Sequence, residues 1–182
     1  MALNPPEKVS LCGVAQLKSG DGRSRRIPYF DFGFAAGLRP GEQIALKPRD
    51  IDLQNGILRV RRAMTLDEDG NVNVIEGRRK NRHTRKAIQL TPAMLDPLKA
   101  QRLINETLTS EYLFCTQLGC RVELNNLLNR VWRAALERAK VALRGTKQMR
   151  HTFATISLSS GEDPLWIAKV MGHCNTEMIH RR

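Results

Sequence analysis

The chain has 182 residues, of which 41% are hydrophobic and 26% charged, a composition that suits one compact domain with a buried core. No apolar run approaches the roughly 20 residues that span a membrane, and the opening stretch lacks the basic and long apolar regions of a signal peptide, so a cytoplasmic protein is expected. Thirty Lys+Arg against eighteen Asp+Glu give a net charge of +12, which makes nucleic acid the leading partner class.

Aromatic residues are only 5% of the chain. A stacking platform for single strands or RNA is therefore poorly supplied, and contact with a duplex backbone is expected instead. Cys12, Cys115, Cys120 and Cys174 show no CxxC spacing and no closely placed histidines. They read as reduced, largely buried thiols, with no metal site and no cofactor.

In chain order, residues 1–27 read as an irregular lead-in. Pro28 suits the first turn of a helix, and Phe30, Phe34 and Leu38 fall at helical spacing up to a stop at Gly37. Arg39-Pro40 restarts a short helix, PGEQIALK. In IDLQNGILRV, Asn55-Gly56 sits between apolar alternations and predicts a two-residue hairpin turn. DEDGN offers a second turn before VNVIEG, and KAIQL supplies a third strand after the basic run GRRKNRHTRK.

Thr91-Pro92 reads as an N-cap followed by the first helical residue, opening a helix that Pro97 kinks. A short strand-and-turn region follows from Tyr112 to Cys120. The stretches VELNNLLNRVWRAALERAKVAL, HTFATISL and PLWIAKVM then carry helical periodicity. The predicted fold is α+β and mainly α, with a small three-stranded antiparallel sheet inserted early.

Several cations sit at element boundaries, where the backbone can aim a side chain inward. Arg39 lies between two helices, Lys80 lies in or beside the basic loop, Arg150 opens a helix and His173 follows Gly172 at a helix end. Together they can surround one phosphate. Guanidinium forks stabilise charge on the non-bridging oxygens of a phosphodiester under attack, and they do not lose their proton. A lysine can protonate a departing sugar oxygen, and a histidine can hydrogen-bond the phosphate or take a proton. Within the basic run, Arg78, Arg79, Arg82, Arg85 and Lys86 read most simply as a DNA-backbone patch with salt-dependent affinity. Arg130, Arg133, Arg138 and Lys140 read as a solvated helix face.

AAGLRPGEQIAL, Lys80 with NRHTRKAIQL, MRHTFAT and VMGH, in that order, resemble the catalytic domain of the tyrosine recombinases, the phage integrase family. The resemblance runs from about residue 28 to the end and implies an integrase-type catalytic domain without an N-terminal core-binding domain. It implies that Arg39 and Arg150 clamp the scissile phosphate, Lys80 protonates the leaving 5′ oxygen and His173 is a further phosphate ligand. Glu42, one turn after Arg39, matches the acidic partner that holds the first arginine.

Two departures from the family pattern stand out. Lys147 holds the place, three residues before Arg150, where a histidine is usual. The family's nucleophilic tyrosine follows the GH histidine by nine or ten residues, which here falls on Arg182 or just beyond, and the only tyrosines are Tyr29 and Tyr112. Both tyrosines read as core residues, one on a helix and one on a strand. The expectation is a catalytic domain of a phage or genomic-island recombinase, C-terminally incomplete, that binds DNA but does not cleave it by the usual route in cis. The complete enzyme would work as a tetramer on bacterial DNA attachment sites through a 3′-phosphotyrosine intermediate. The alternatives are a non-catalytic DNA-binding relative or regulator and an RNA-binding or ribosome-associated protein.

Overall fold

The computed structural model describes residues 27–66, 72–76 and 86–172. Its first element, α1 (Ile27–Ala36), is apolar on nearly every side, and Tyr29, Phe30, Phe32, Phe34 and Ala36 are all buried. A helix without a polar face belongs at the centre of a domain. Accordingly α1 packs against α3 (Pro92–Asn105) on one side and α6 (Lys147–Ser159) on another. Its rings anchor the core. Phe30 stacks on Trp132 with centroids 5.4 Å apart, and Tyr29 and Phe32 meet Phe114 at 5.3 and 5.7 Å. Such pairs add to the area that the rings bury.

Gly37 ends α1 with φ +59. A Cβ there would stand 2.3 Å from Phe153 Cδ1, so the turn needs glycine for its backbone and for its space. Gly37→Ala is expected to destabilise the fold by about 2–4 kcal/mol through left-handed strain and overpacking, read by urea denaturation. The turn leads at once into α2 (Pro40–Ile44), with Arg39 in the N-cap position and Pro40 starting the helix.

The sheet region is richer than the sequence suggests. β1 (Ile51–Asp52), β2 (Ile57–Val60) and β5 (Lys86–Gln89) form the expected three-stranded antiparallel sheet in the order β1-β2-β5. β3 (Arg62–Leu66) and β4 (Val72–Glu76) form a separate antiparallel ribbon. The DEDGN turn between them lies outside the described residues. Instead of a two-residue turn, four residues separate β1 from β2, with Asp52 opposite Ile57. The Asp52 carboxylate accepts from Asn55 N at 3.0 Å and Asn55 Nδ2 at 2.9 Å, and Gly56 alone takes positive φ, at +64. A side-chain-supported turn has thus replaced the tighter form.

Beyond α3, residues 110–123 form bends and one isolated bridge, Cys115 with Arg121, rather than a strand. Tyr112 is correspondingly not a core residue: it is half-buried, with the Lys47 ammonium 5.6 Å from its ring centroid. Cys115 is half-buried and Cys120 exposed, so these thiols are less buried than expected. A helical rod follows, made of α4 (Leu124–Leu127), a π turn (Leu128–Trp132) and α5 (Arg133–Arg138). It ends earlier than its apolar spacing predicts, where Lys140 adopts φ +54. Trp132 Nε1 donates to the Arg144 carbonyl at 2.5 Å and ties the following loop to the rod.

The last described helix is α7 (Pro164–Met171), capped by Asp163, which accepts from Leu165 N and Trp166 N, and closed by Gly172 at φ +64. Both ends follow ordinary capping chemistry. Among the described residues, no helix is long and apolar enough to cross a membrane.

Candidate active site

Four charged side chains from distant parts of the chain converge where α2, β5, α6 and α7 meet. Glu42 is the hub, and it is only 2% exposed. As the third residue of α2 it accepts from Arg39 N at 3.0 Å, the helix-side half of a capping box. Its other oxygen accepts from Arg39 Nη1 at 2.9 Å. Lys86 Nζ donates to Glu42 Oε2 at 3.1 Å and to the Val170 carbonyl at 2.8 Å.

Arg150 completes the group. It lies one turn into α6 rather than opening it, because the helix begins at Lys147. Its Nη1 donates to the Gly37 carbonyl at 2.8 Å and its Nη2 to the Met171 carbonyl. Among the described residues, two of its five N–H bonds are thereby spent on fixing the guanidinium. Both carbonyls stand at helix ends, where orphaned acceptors and the helix dipole favour a cation.

The electrostatics follow from crowding cations around one buried carboxylate. Burial draws the Arg150 guanidinium down to about 10, the like charge of Arg39 adds to this, and Glu42 opposes it. Lys86 comes down to about 8, first through burial, with Arg150 and Arg39 adding and Glu42 opposing. Burial alone would raise the Glu42 carboxyl, but the Lys86 charge and the Arg39 amide and guanidinium outweigh it and hold the carboxyl below its usual range. Near neutrality the group carries three cations against one anion. A second anion is the missing counterpart of such an arrangement.

The structure thus brings together Arg39, Glu42 and Arg150 of the residues singled out in the sequence. Lys147 stands one helical turn before Arg150 and is exposed. Lys80, Arg78, Arg79, Arg82, Arg85 and His173 lie outside the described residues. Lys86, grouped in the sequence with a surface patch, is instead inside the cluster, its side chain 7% exposed. Tyr29 is buried in the aromatic core, which pushes its phenol pKa up. A further buried pair, Arg62 with Asp50, joins β3 to the turn after α2 and has no part in the cluster.

A model of the phage integrase family matches residues 3–182. The chain belongs to that family. Among relatives, prophage integrase IntR of Escherichia coli K12 is 31% identical over 91% of this chain and 44% of its own length. A XerC-like tyrosine recombinase of Caldanaerobacter subterraneus subsp. tengcongensis is 29% identical over 89% of this chain and 46% of its own. The chain therefore spans under half the length of these relatives.

The fold recurs in solved integrases and recombinases. The Tn1549 transposon integrase in complex with a circular intermediate DNA superposes with a TM-score of 0.81 at 18% identity, over 98% of this chain and 60% of that one. XerA recombinase gives 0.74 at 22% identity, over 99% and 57%. The mainly helical integrase-type fold with its small antiparallel sheet is thus the architecture that carries the Arg39–Glu42–Lys86–Arg150 cluster.

Proposed function

We propose that this integrase-family chain is a DNA strand-transfer domain whose cation cluster clamps one phosphodiester of a duplex. The observation that carries the reading is the pair of arginines that, among the described residues, are held by inward bonds through only part of their donor sets. Arg39 has a half-exposed side chain fixed at one Nη by Glu42, and Arg150 is fixed by two carbonyls. Preorganised donors of this kind act on charge that develops on the non-bridging oxygens during attack. The DNA held by the Tn1549 integrase, which shares the fold, supports duplex DNA as the ligand.

In this reading a tyrosine hydroxyl attacks the phosphorus and gives its proton to His173, the bond from phosphorus to the 5′ oxygen breaks, that oxygen leaves with a proton from Lys80, and a 3′-phosphotyrosine forms. His173 and Lys147 flank the phosphate. Because the phosphodiester energy is kept in the covalent bond, a second 5′-hydroxyl can reverse the step on another strand without ATP. The partners are attachment-site duplexes and further recombinase protomers, in the bacterial cytoplasm. Arg78, Arg79, Arg82 and Arg85 supply backbone contacts.

A second reading is a DNA-binding relative that does not cut. Its ground lies within the described residues, where the tyrosines Tyr29 and Tyr112 stand apart from the cluster. One assay separates the two. The reading frame is carried past Arg182 to its stop, and the product is incubated with nicked duplex attachment DNA. A covalent band on a denaturing gel, lost when a downstream tyrosine becomes phenylalanine, is the expected result. Tight, salt-sensitive duplex binding without a band selects the non-cleaving reading. Equal affinity for RNA and duplex DNA sinks both.

A further inference from the structure

Strand register explains why Lys86 left the surface. It lies opposite Val60 and two residues before Ile88. Strand alternation therefore turns it to the face that buries both. At 7% exposure its ammonium is not offered to a polyanion outside. Both of its hydrogen bonds run inward instead, and their acceptors belong to the elements that hold the two arginines. Glu42 fixes Arg39. Val170 immediately precedes Met171, whose carbonyl accepts from Arg150.

We propose that Lys86 is a positioning residue of the clamp: its ammonium joins the carboxylate that orients Arg39 to the helix end that orients Arg150, so one buried cation sets the spacing of two guanidiniums. The inference rests on the phosphate-clamp reading and deepens it. Lys86 touches no phosphate in this role. It is not the proton donor either, since its inward bonds turn it away from an approaching strand.

Every element around Lys86 contributes to its charge balance. Glu42 and Arg39 face it from α2, Arg150 from α6 and the Val170 carbonyl from α7, while Arg59 and Arg61 line the open cleft beside it on the β2 side. With its ammonium drawn down to about 8 from 10.5, the native protein releases this proton before the unfolded chain does. Stability from this group is therefore lost as pH falls through about 8 and regained as pH rises towards 10.5. Anion affinity changes the other way, because the neutral amine no longer holds the clamp.

The test uses this chain, arginine Nε–H signals in NMR, and inorganic sulfate as a tetrahedral anion of constant charge. In the wild type, the Arg39 and Arg150 signals are expected to move with one midpoint near that of Lys86, and sulfate affinity to fall about tenfold from about pH 7 to about pH 9. Lys86→Met should shift both arginine signals, abolish the midpoint and weaken sulfate about tenfold at neutral pH. Lys86→Arg should restore affinity without the midpoint. A folded Lys86→Met protein with wild-type arginine signals overturns the proposal. Should that variant not fold, wild-type arginine signals lacking the midpoint overturn it equally. Arg150→Ala is the separate control: unchanged sulfate affinity there overturns the clamp reading, while the arginine signals still decide the role of Lys86.

Discussion

Arg150→Ala is expected to slow strand cleavage by a tyrosine-bearing form on the order of a thousandfold, while most affinity for duplex DNA survives. The two effects separate because they have different origins. Bulk affinity comes from many phosphates meeting a chain of net charge +12. Cleavage, on the clamp reading, depends on one guanidinium aimed at one phosphate. The same substitution strips donors from the Gly37 and Met171 carbonyls. A stability loss of about 2–4 kcal/mol should accompany it, from two acceptors left unsatisfied. Arg150→Lys divides these roles. It keeps the charge but has no planar fork, so it cannot hold two carbonyls and still present donors to a phosphate. Cleavage by the lysine variant should stay close to that of the alanine variant, measured as the rate of covalent-complex formation. Near-wild-type cleavage by Arg150→Lys would mean that charge alone suffices and that the fork geometry described above is incidental.

Glu42→Ala is expected to cause the larger loss of stability, about 3–5 kcal/mol, because removing one partner of a buried ion pair strands the other. Arg39 can turn to water, since its side chain is half exposed, but Lys86 at 7% exposure cannot. Glu42 is the group that raises the Lys86 pKa against burial and like charge. Without it the ammonium falls below its present value of about 8 and begins to deprotonate near neutrality. The deficit relative to wild type should therefore be greatest in mild acid and shrink as pH rises towards 9, as thermal melts across that range would record. A deficit independent of pH would show that Glu42 acts through packing or helix capping alone.

Much of the scaffold was legible because local chemistry decides it. The glycine at 37, the Thr91-Pro92 helix start and the apolar periodicity of the helices each have one cheap conformation. Arg39, Glu42 and Arg150 stood out by pattern, and the fold draws them together. The misread features depend on distant partners. Asp52 captures Asn55 and lengthens a turn that Asn55-Gly56 would otherwise make in two residues. β3 and β4 pair with each other and form their own ribbon, a choice that strand propensity does not fix.

Lys86 is the instructive case. In a run of six basic residues it reads as part of a DNA-backbone patch, yet the signal for its burial was present. Ile88 must face the core, and strand alternation carries Lys86 to the same side. What the sequence could not reveal was that a carboxylate and a helix end wait there.

The bonds that hold the clamp also govern when it comes into being. Arg39 and Glu42 are three residues apart and can find each other as soon as α2 forms. Arg150 reaches back 113 positions to Gly37, and Lys86 reaches forward 84 to Val170. A fragment ending before α7 keeps the Gly37 carbonyl but lacks those of Val170 and Met171, the α7 acceptors of these two cations, and contacts of such long range form late in folding. On the clamp reading, a chain shortened before α7 keeps most of its positive charge but lacks the assembled cluster. Among the described residues, the last bonds of the cluster close only when α7 docks.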